Sequence, residues 1–440
     1  MKSRTRFIKK MKDNFGKISD ALKYERIIDL ERSQWWNYQD LLAFQNQRLR
    51  KIVEYAHKKV PGYRAKFLKA NVTPADIQSV DDLYKLPVTT REEIQDNDLF
   101  INNELITGTL YTGGSTGTTL KYHESKESGI VRWHMHLRGW RWGGYEYGQQ
   151  RLAVISSAQG IVHGVNTVNL VGDLRETNMR KNSEHLQEFK PHHLRGYVSS
   201  VYILAKYCLD TDTRLDSVES VNTISENLYD FQRTTIENAF DCEVFEEYCC
   251  NDGGACGWEC EAHSGLHYCM ERAIIEEVDG EMIVTDLWNK ATPFIRYKNG
   301  DAVEFLGSPC SCGRELPLMW VSGRQNDILI TPSGPISPSF LIHHGCGQVG
   351  LDRPKGQFHS GIRSIQYIQE PGYGLRVNLV ENSWCTPNEI EEFKDTLEEI
   401  APGMQTTVQV VDELEMTEKG KRHFIVNKDK NLLRKWGYNC

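Results

Sequence analysis

Apolar positions along the first hundred residues recur at every third or fourth place, the spacing of one helix face. "WWNYQDLLAFQNQRLRKIVEYAHKKVPGYRAKFLKAN" keeps that spacing until Pro61-Gly62 interrupts it, and "PADIQSVDDLYKLPVTTREEIQDN" reads as short helices separated by turns. The pattern then alternates. A strand leads into the small-residue stretch "LYTGGSTGTTLKY"; an aromatic helix, "IVRWHMHLRGWRWGGYEYG", and a strand, "RLAVISSA", follow. "LQEFKPHHLRGYVSSVYILAKYCLD" reads as a turn, a strand end and a helix, and "SVNTISENLYDFQRTTIENAF" repeats strand then helix before the short strand "CEVFEEYCCND". Strand and helix in alternation predict an α/β fold with a largely parallel sheet.

From about Cys269 the pattern turns to β. In "RAIIEEVDGEMIVTDLW" the pair Asp279-Gly280 separates two branched runs and predicts a tight hairpin. The last hundred residues, with "SIQYIQEPGYGLRVNLVE", the acidic helix "PNEIEEFKDTLEEIAP" and the strand "TTVQVVDEL", read as a small α+β domain. We expect two domains, 1–325 with a helical segment over 1–100, and 326–440 as a smaller mobile one.

Composition narrows the class. The chain has 440 residues, 39% hydrophobic and 25% charged, with a mean hydropathy of -0.52, which is the balance of a globular protein. No apolar run is long enough to cross a bilayer, and the basic start lacks the apolar stretch of a signal peptide, so a cytoplasmic location is expected. A net charge of -8 argues against a nucleic-acid partner. Near the N-terminus, Lys2, Arg4, Arg6, Lys9, Lys10 and Lys12 flank Phe7, Ile8, Met11, Phe15 and Ile18. That basic amphipathic helix suits either docking on its own domain or a peripheral contact with an anionic membrane face.

"LYTGGSTGTTLKY" admits three readings. Its glycines and hydroxyls can converge on a phosphate, although no Walker lysine follows; "GGSTG" fits the elbow that exposes a nucleophilic serine, here Ser115; or it is a plain turn.

The succession of motifs decides among them. That loop, "LRGYVSSVYILA", "TISENLYDFQRTTIENAF", "EEYCCNDGGACGWECEAHSGLHY", "VTDLWNKATPFIRYKNGD", "CSCGRELPLMWVSGRQNDILI" and "EKGKRHF" occur in fixed order over nearly the whole chain. The succession resembles the phenylacetate-CoA ligase-like adenylate-forming enzymes, most closely the CapK-type branch associated with capsular polysaccharide biosynthesis. The resemblance implies a large adenylate-forming domain, a mobile lid, and a reaction in which a carboxylate attacks the α-phosphate of ATP to give an acyl-adenylate and pyrophosphate. The acyl group then passes to CoA or to an amine or hydroxyl of a sugar.

Carried over residue by residue, it makes Ser115, Thr116, Gly117 and Thr118 the grip on the ATP phosphates, and Lys421 the mobile lysine bridging carboxylate and α-phosphate. Asp301 accepts the ribose hydroxyls, Arg324 adds a ribose or phosphate contact, and Asp327 is the hinge. Ser225 and Glu226 lie in the adenine-side loop and Tyr248 stacks on adenine. Asp252 supplies the carboxylate for Mg²⁺, one methylene shorter than the family's glutamate, and Cys249 stands where the family has glycine. Both departures leave open a nucleotide-binding protein with weak or lost activity, while a Ser115 hydrolase leaves Asp301, Arg324 and Lys421 without a role.

Twelve cysteines call for an account, and eight fall between Cys242 and Cys312. "CSCGR" offers Cys310 and Cys312, and "ECEAHSGLH" offers Cys260 with His263 or His267; a Cys₃His set is a stable zinc site, and cysteines filling small gaps are the alternative. Relatives in this branch carry such a structural zinc, and the resemblance selects Cys260, His267, Cys310 and Cys312. Trp133, Trp140, Trp142 and Tyr145, with Gly196 to Ser200, are read either as an acyl pocket or as core.

Overall fold

The computed structural model describes residues 28–95, 97–111, 120–171, 176–307, 309–322, 328–336, 341, 362–381, 385–415 and 424–436. The basic N-terminal helix, the "GGSTG" loop and the "GRQND" boundary all lie outside them. The chain groups into two compact units, each assembled from separated stretches.

The first unit takes Met1–Leu110, Tyr122–Trp142 and Tyr248–Val321. Its helix Tyr38–Lys59 starts on Asn37, whose side chain accepts from the Asp40 amide, and ends where Pro61 cannot continue it. Pro61 then opens a second helix, Pro61–Lys69, because a missing N–H costs nothing in a first turn. The expected hairpin forms as Ala273–Val278 against Glu281–Asp286. Asp279 (φ 54°) and Gly280 (φ 76°) are its two turn residues, the left-handed pair of a type I′ turn. Tyr297–Lys298 adds a third antiparallel strand, and Leu266–Tyr268 pairs antiparallel with both Cys256–Trp258 and the strand Leu318–Ser322.

Large rings fill this unit: Tyr63, Phe67, Tyr122, Trp258, Trp288, Phe294 and Tyr297 are all fully or almost fully buried. The aromatic helix is Lys126–Trp142, and Trp140 and Trp142 are core residues at 7% exposure each. It approaches Trp258 so closely at Gly139 that a Cβ there would lie 2.2 Å from the indole. The same helix carries Arg138, which donates to Glu271 at 2.7 Å with both side chains fully buried. Ser33 Oγ also donates to that carboxylate, at 2.6 Å, so the buried charges are paired and hydrogen-bonded rather than left isolated.

The second unit takes Tyr111–Lys121, Gly143–Glu247 and Ser322–Cys440. Here the expected parallel sheet appears. Strands order as Glu243–Cys249, Ser220–Ile224, His193–Tyr197, Leu152–His163 and Thr167–Val171, with parallel pairing at each step. Helices Val198–Asp210 and Asp230–Phe240 follow their strands as read from sequence. Glu176–Phe189 is also a helix, one that the sequence pattern does not announce. Met179, Leu186 and the terminal Phe189 are its apolar contacts with the core, while buried Asn182 ties it to the Val171 carbonyl at 2.7 Å.

The C-terminal stretch of this unit is a four-stranded sheet in the order Gln405–Val410, Gly374–Glu381, Ile362–Glu370 and Ile425–Asn427, antiparallel at its centre and parallel at both flanks. The helix Pro387–Ile400 covers it through Phe393, Leu397 and Ile400, capped by Thr386 accepting from the Glu389 amide. This is the small α+β element that the sequence pattern predicts. Among the described residues no helix is long and apolar enough to cross a membrane.

Candidate active site

Two of the sequence-selected residues meet directly. Tyr248, near the end of its strand, donates its phenol to Asp301 Oδ2 at 2.7 Å. Asp301 is aimed by an Asx turn: its amide donates to Asn299 Oδ1 at 3.1 Å, and Gly300 takes the φ of 93° that the turn requires. Asn299 Nδ2 reaches back to the Tyr248 hydroxyl at 3.2 Å and to Asp301 Oδ2 at 3.3 Å. Burial, and next the Asp301 charge, push the Tyr248 phenol well above its ordinary pKa, so it stays a neutral donor. The product is an oriented ring with a carboxylate at its edge, a shape suited to a planar base joined to a diol.

Asn299 also links this pair to Asp252. Its amide lies 3.5 Å from Cys250 Sγ, and that thiol donates to Asp252 Oδ1 at 3.2 Å. Asp252 is 7% exposed; its Oδ2 accepts from the Tyr297 hydroxyl at 3.0 Å and stands 3.8 Å from an Arg91 guanidinium nitrogen. The loop bearing it turns on Gly253 (φ 96°) and Gly254 (φ 77°), and a Cβ on Gly254 would strike the Arg272 guanidinium at 2.8 Å. Burial raises the thiol of Cys250 and the phenol of Tyr297, both also facing Asp252, which keeps them neutral donors to it. Sequence reading missed Asn299, Tyr297 and Arg91. Asn299 and Tyr297 carry a local signal, two and four residues before Asp301 in "RYKNGD", whereas Arg91 meets Asp252 only through the fold.

Ser225 and Glu226 belong to the second unit. Ser225 takes the left-handed φ of 65°, which for a residue with a side chain marks a constrained turn. Glu226 accepts from the Ser199 amide at 2.7 Å and from its hydroxyl at 3.0 Å, satisfying a first-turn amide of the helix Val198–Asp210. Ser115, Thr116, Gly117, Thr118, Arg324, Asp327 and Lys421 lie outside the described residues.

The structure also brings Cys260, His267, Cys310 and Cys312 together, with one ligand atom from each lying within 4.8 Å of the others. Cys260 and Cys310 sulfurs are 3.6 Å apart, and Cys312 Sγ is 3.3 Å from His267 Nε2. His267 Nδ1 faces the Leu316 carbonyl at 3.0 Å; donation there leaves Nε2 as the lone-pair nitrogen aimed at the thiols. Burial lowers the His267 pKa to about 4, so the ring is neutral near pH 7, the form that binds a metal. Backbone amides of Ala262 and Arg314 point at Cys260 and Cys312 sulfurs, each at 3.5 Å, as they do toward thiolates. Burial pushes both thiols up, but at Cys312 the Arg314 contacts and the neighbouring thiols outweigh it and the net shift is downward. His263 turns away to Glu259, at 3.4 Å. Three thiols and one imidazole nitrogen in this volume fit Zn²⁺ by number and donor type.

No protein-family model matches the chain. It is 25% identical to Protein CapK of Staphylococcus aureus, over 94% of this chain and 95% of that protein. It is 24% identical to phenylacetate-coenzyme A ligase of Escherichia coli (strain K12), over 69% and 75%. Among solved structures, 2-hydroxyisobutyryl-CoA ligase with 2-HIB-AMP and CoA in its thioesterification state superposes with a TM-score of 0.63 at 16% identity, covering 92% of this chain and 93% of that one. The same ligase in its postadenylation state gives 0.58 at 15%.

Proposed function

We infer that this chain, a phenylacetate-CoA ligase-like adenylate-forming enzyme by sequence and fold, activates a carboxylic acid as its acyl-adenylate. The observation that carries this reading is the Tyr248–Asp301 pair on the Asn299-Gly300 turn, joined through Cys250 to Asp252. In this reading Asp301 takes both ribose hydroxyls, Tyr248 supplies the face for adenine, and Ser225 and Glu226 belong to the adenine-side loop. Ser115, Thr116, Gly117 and Thr118 grip the phosphates, and Arg324 adds a contact to ribose or phosphate. Residues 326–440 act as a lid turning about Asp327. That rotation brings Lys421 to the carboxylate and the α-phosphate, where a cation favours the charge that develops on attack.

Asp252 is the carboxylate that would hold Mg²⁺; one suffices, because this ion keeps waters and binds phosphate oxygens besides. Mg²⁺, when bound with the nucleotide, neutralises charge on the phosphates. Cys260, His267, Cys310 and Cys312 would hold a structural Zn²⁺, which closes the turns bearing them. For the second step, the likeness to CapK along nearly the whole chain supports transfer to an amine or hydroxyl of a sugar in surface polysaccharide synthesis, with CoA as the other acceptor.

Pyrophosphate release from ATP with a panel of carboxylic acids tests the reading. Release that depends on one class of acid supports it. ATP binding without release for any acid would leave a zinc-stabilised nucleotide-binding protein, a reading that the occupancy of Asp252 by Arg91, Tyr297 and Cys250 favours. Labelling of Ser115 by a fluorophosphonate would instead support the hydrolase.

A further inference from the structure

Beside Asp252 the first unit has a small, partly open cavity of about 10 Å³, the scale of one water molecule, lined by Arg132, Met135, Cys249, Cys250, Asn251, Gly254, Cys256 and Arg272. Three of these are cysteines, of which Cys250 bonds Asp252 and Cys249 and Cys256 have no part in the proposed reaction, and their order in the backbone is informative. The Cys250 amide donates to the Ala255 carbonyl at 2.8 Å, closing a hairpin over Asn251, Asp252, Gly253 and Gly254. The next residues outward are Cys249 and Cys256, which therefore face each other as a pair that exchanges no backbone hydrogen bonds. Such pairs have the closest side chains of an antiparallel ladder, about 4.5 Å between Cα atoms, within the span a disulfide accepts. The Cys256 thiol is in hydrogen-bond contact with both Cys249 and Cys269.

Cys256 has a second neighbour. Cys269 lies opposite it on the other side, but there the Cys269 amide donates to the Cys256 carbonyl at 3.0 Å, which makes a hydrogen-bonded pair with Cα atoms about 5.5 Å apart. The Cys269 sulfur is also engaged by Arg138 Nη2 at 3.2 Å. Both spacings suit a disulfide; the Arg138 contact on Cys269, and the partial exposure of Cys249 where Cys269 is fully buried, favour Cys249.

We propose that Cys249 and Cys256 form a reversible thiol-modification site, oxidised to a disulfide by a peroxide that enters the cavity, and that the bond shuts down the hairpin bearing Asp252. One sulfur attacks the peroxide, the O–O bond breaks, and water leaves behind a sulfenic acid. The second thiol displaces that hydroxyl as a second water, forming the S–S bond; two thiols are oxidised by two electrons and one peroxide is reduced to two waters. Drawing the sulfurs to about 2.05 Å pulls in the base of a four-residue loop and fills the cavity wall next to the nucleotide carboxylate. The functional half of this inference rests on the proposed nucleotide site; the chemical half does not.

The test treats the full-length reduced protein with hydrogen peroxide, blocks remaining thiols, cleaves on the N-terminal side of Asp252 and maps cross-links by mass spectrometry. ATP affinity is measured by calorimetry before and after, and again after reduction with dithiothreitol. The expected result is a Cys249–Cys256 link, at least a tenfold loss of ATP affinity, and recovery of both on reduction. Cys249→Ser and Cys256→Ser should each bind ATP like the wild type and keep that affinity through peroxide treatment; should the buried Cys256→Ser fail to fold, the half-buried Cys249→Ser decides. A Cys256–Cys269 link, a Cys249–Cys250 link, or irreversible oxidation in place of a link would overturn the proposal. So would the expected link with unchanged ATP affinity. A reduced protein that binds no ATP would overturn the proposed function instead, and the link map alone would then decide the modification site.

Discussion

Two sites in the first unit treat their polar groups in opposite ways. Around Cys260, His267, Cys310 and Cys312 every donor converges on one point, and the supporting bonds, from Ala262, Arg314 and Leu316, come from the backbone. Around Tyr248, Asp301 and Asp252 the side chains bond one another, through Asn299, Cys250, Tyr297 and Arg91. The first arrangement is complete once an ion enters. The second must exchange internal bonds for ligand bonds, so it can discriminate, at the cost of affinity. Loss of the first should therefore appear as instability, and loss of the second as lost chemistry in a protein that still folds.

The largest effect expected is removal of the metal. One equivalent of zinc should accompany the purified protein, and Cys310→Ser should lower thermal stability by about 3 kcal/mol or more, roughly 6–12 °C for a unit of this size. Metal analysis with calorimetric melting checks this; a metal-free protein with an unchanged melting temperature would erase the contrast. Next comes chemistry without instability. Lys421→Ala should cut pyrophosphate release by about 10²–10³ while ATP still binds, and Asp301→Ala should raise the KM for ATP at least tenfold through charge-assisted bonds of about 1.5–3 kcal/mol each. A drop in melting temperature as large as that of Cys310→Ser would merge the two categories.

Acid should act on the scaffold apart from both sites. Burial lowers His193 to about 3, so the native state holds its ring neutral while the unfolded chain takes a proton near pH 6.5. Its contribution is fully present above about pH 6.5 and is lost as pH falls toward 3, at up to about 1.4 kcal/mol per pH unit. Denaturation of His193→Gln against pH should lack that slope. The smallest effect is Tyr248→Phe, which removes one bond to Asp301 and keeps the ring. About 1 kcal/mol, or roughly fivefold in ATP affinity, is expected, and a hundredfold loss would mean that the hydroxyl itself contacts ligand.

Local chemistry explains which parts of this were legible in the sequence. Asp279-Gly280 announces its hairpin because only such residues take two successive positive φ values cheaply, and Asn37 and Pro61 announce helix limits for similar reasons. The helix Glu176–Phe189 stayed hidden, since buried Asn182 and Ser183 occupy the face where apolar residues would have signalled it. At the sites, His267 and not His263 enters the cluster, a choice that spacing left open and the strand Leu266–Tyr268 makes. Arg91 beside Asp252 and Arg138 on Glu271 join residues far apart in the chain; no periodicity carries such pairings.

The contact of Gly139 with Trp258 has a consequence for how this protein can change. A helix pinned by bare backbone against an indole can be redecorated but not slid. Met135 and Arg132, one and two turns earlier, face the cavity, while Trp142, one turn later, packs edge-on to His267 at 5.5 Å between ring centres. Resizing the cavity must then proceed by exchanging side chains at positions 132 and 135, and the fixed helix insulates the cysteine cluster from each exchange. A library at those two positions could explore new ligands while the Cys260, His267, Cys310 and Cys312 cluster stays untouched.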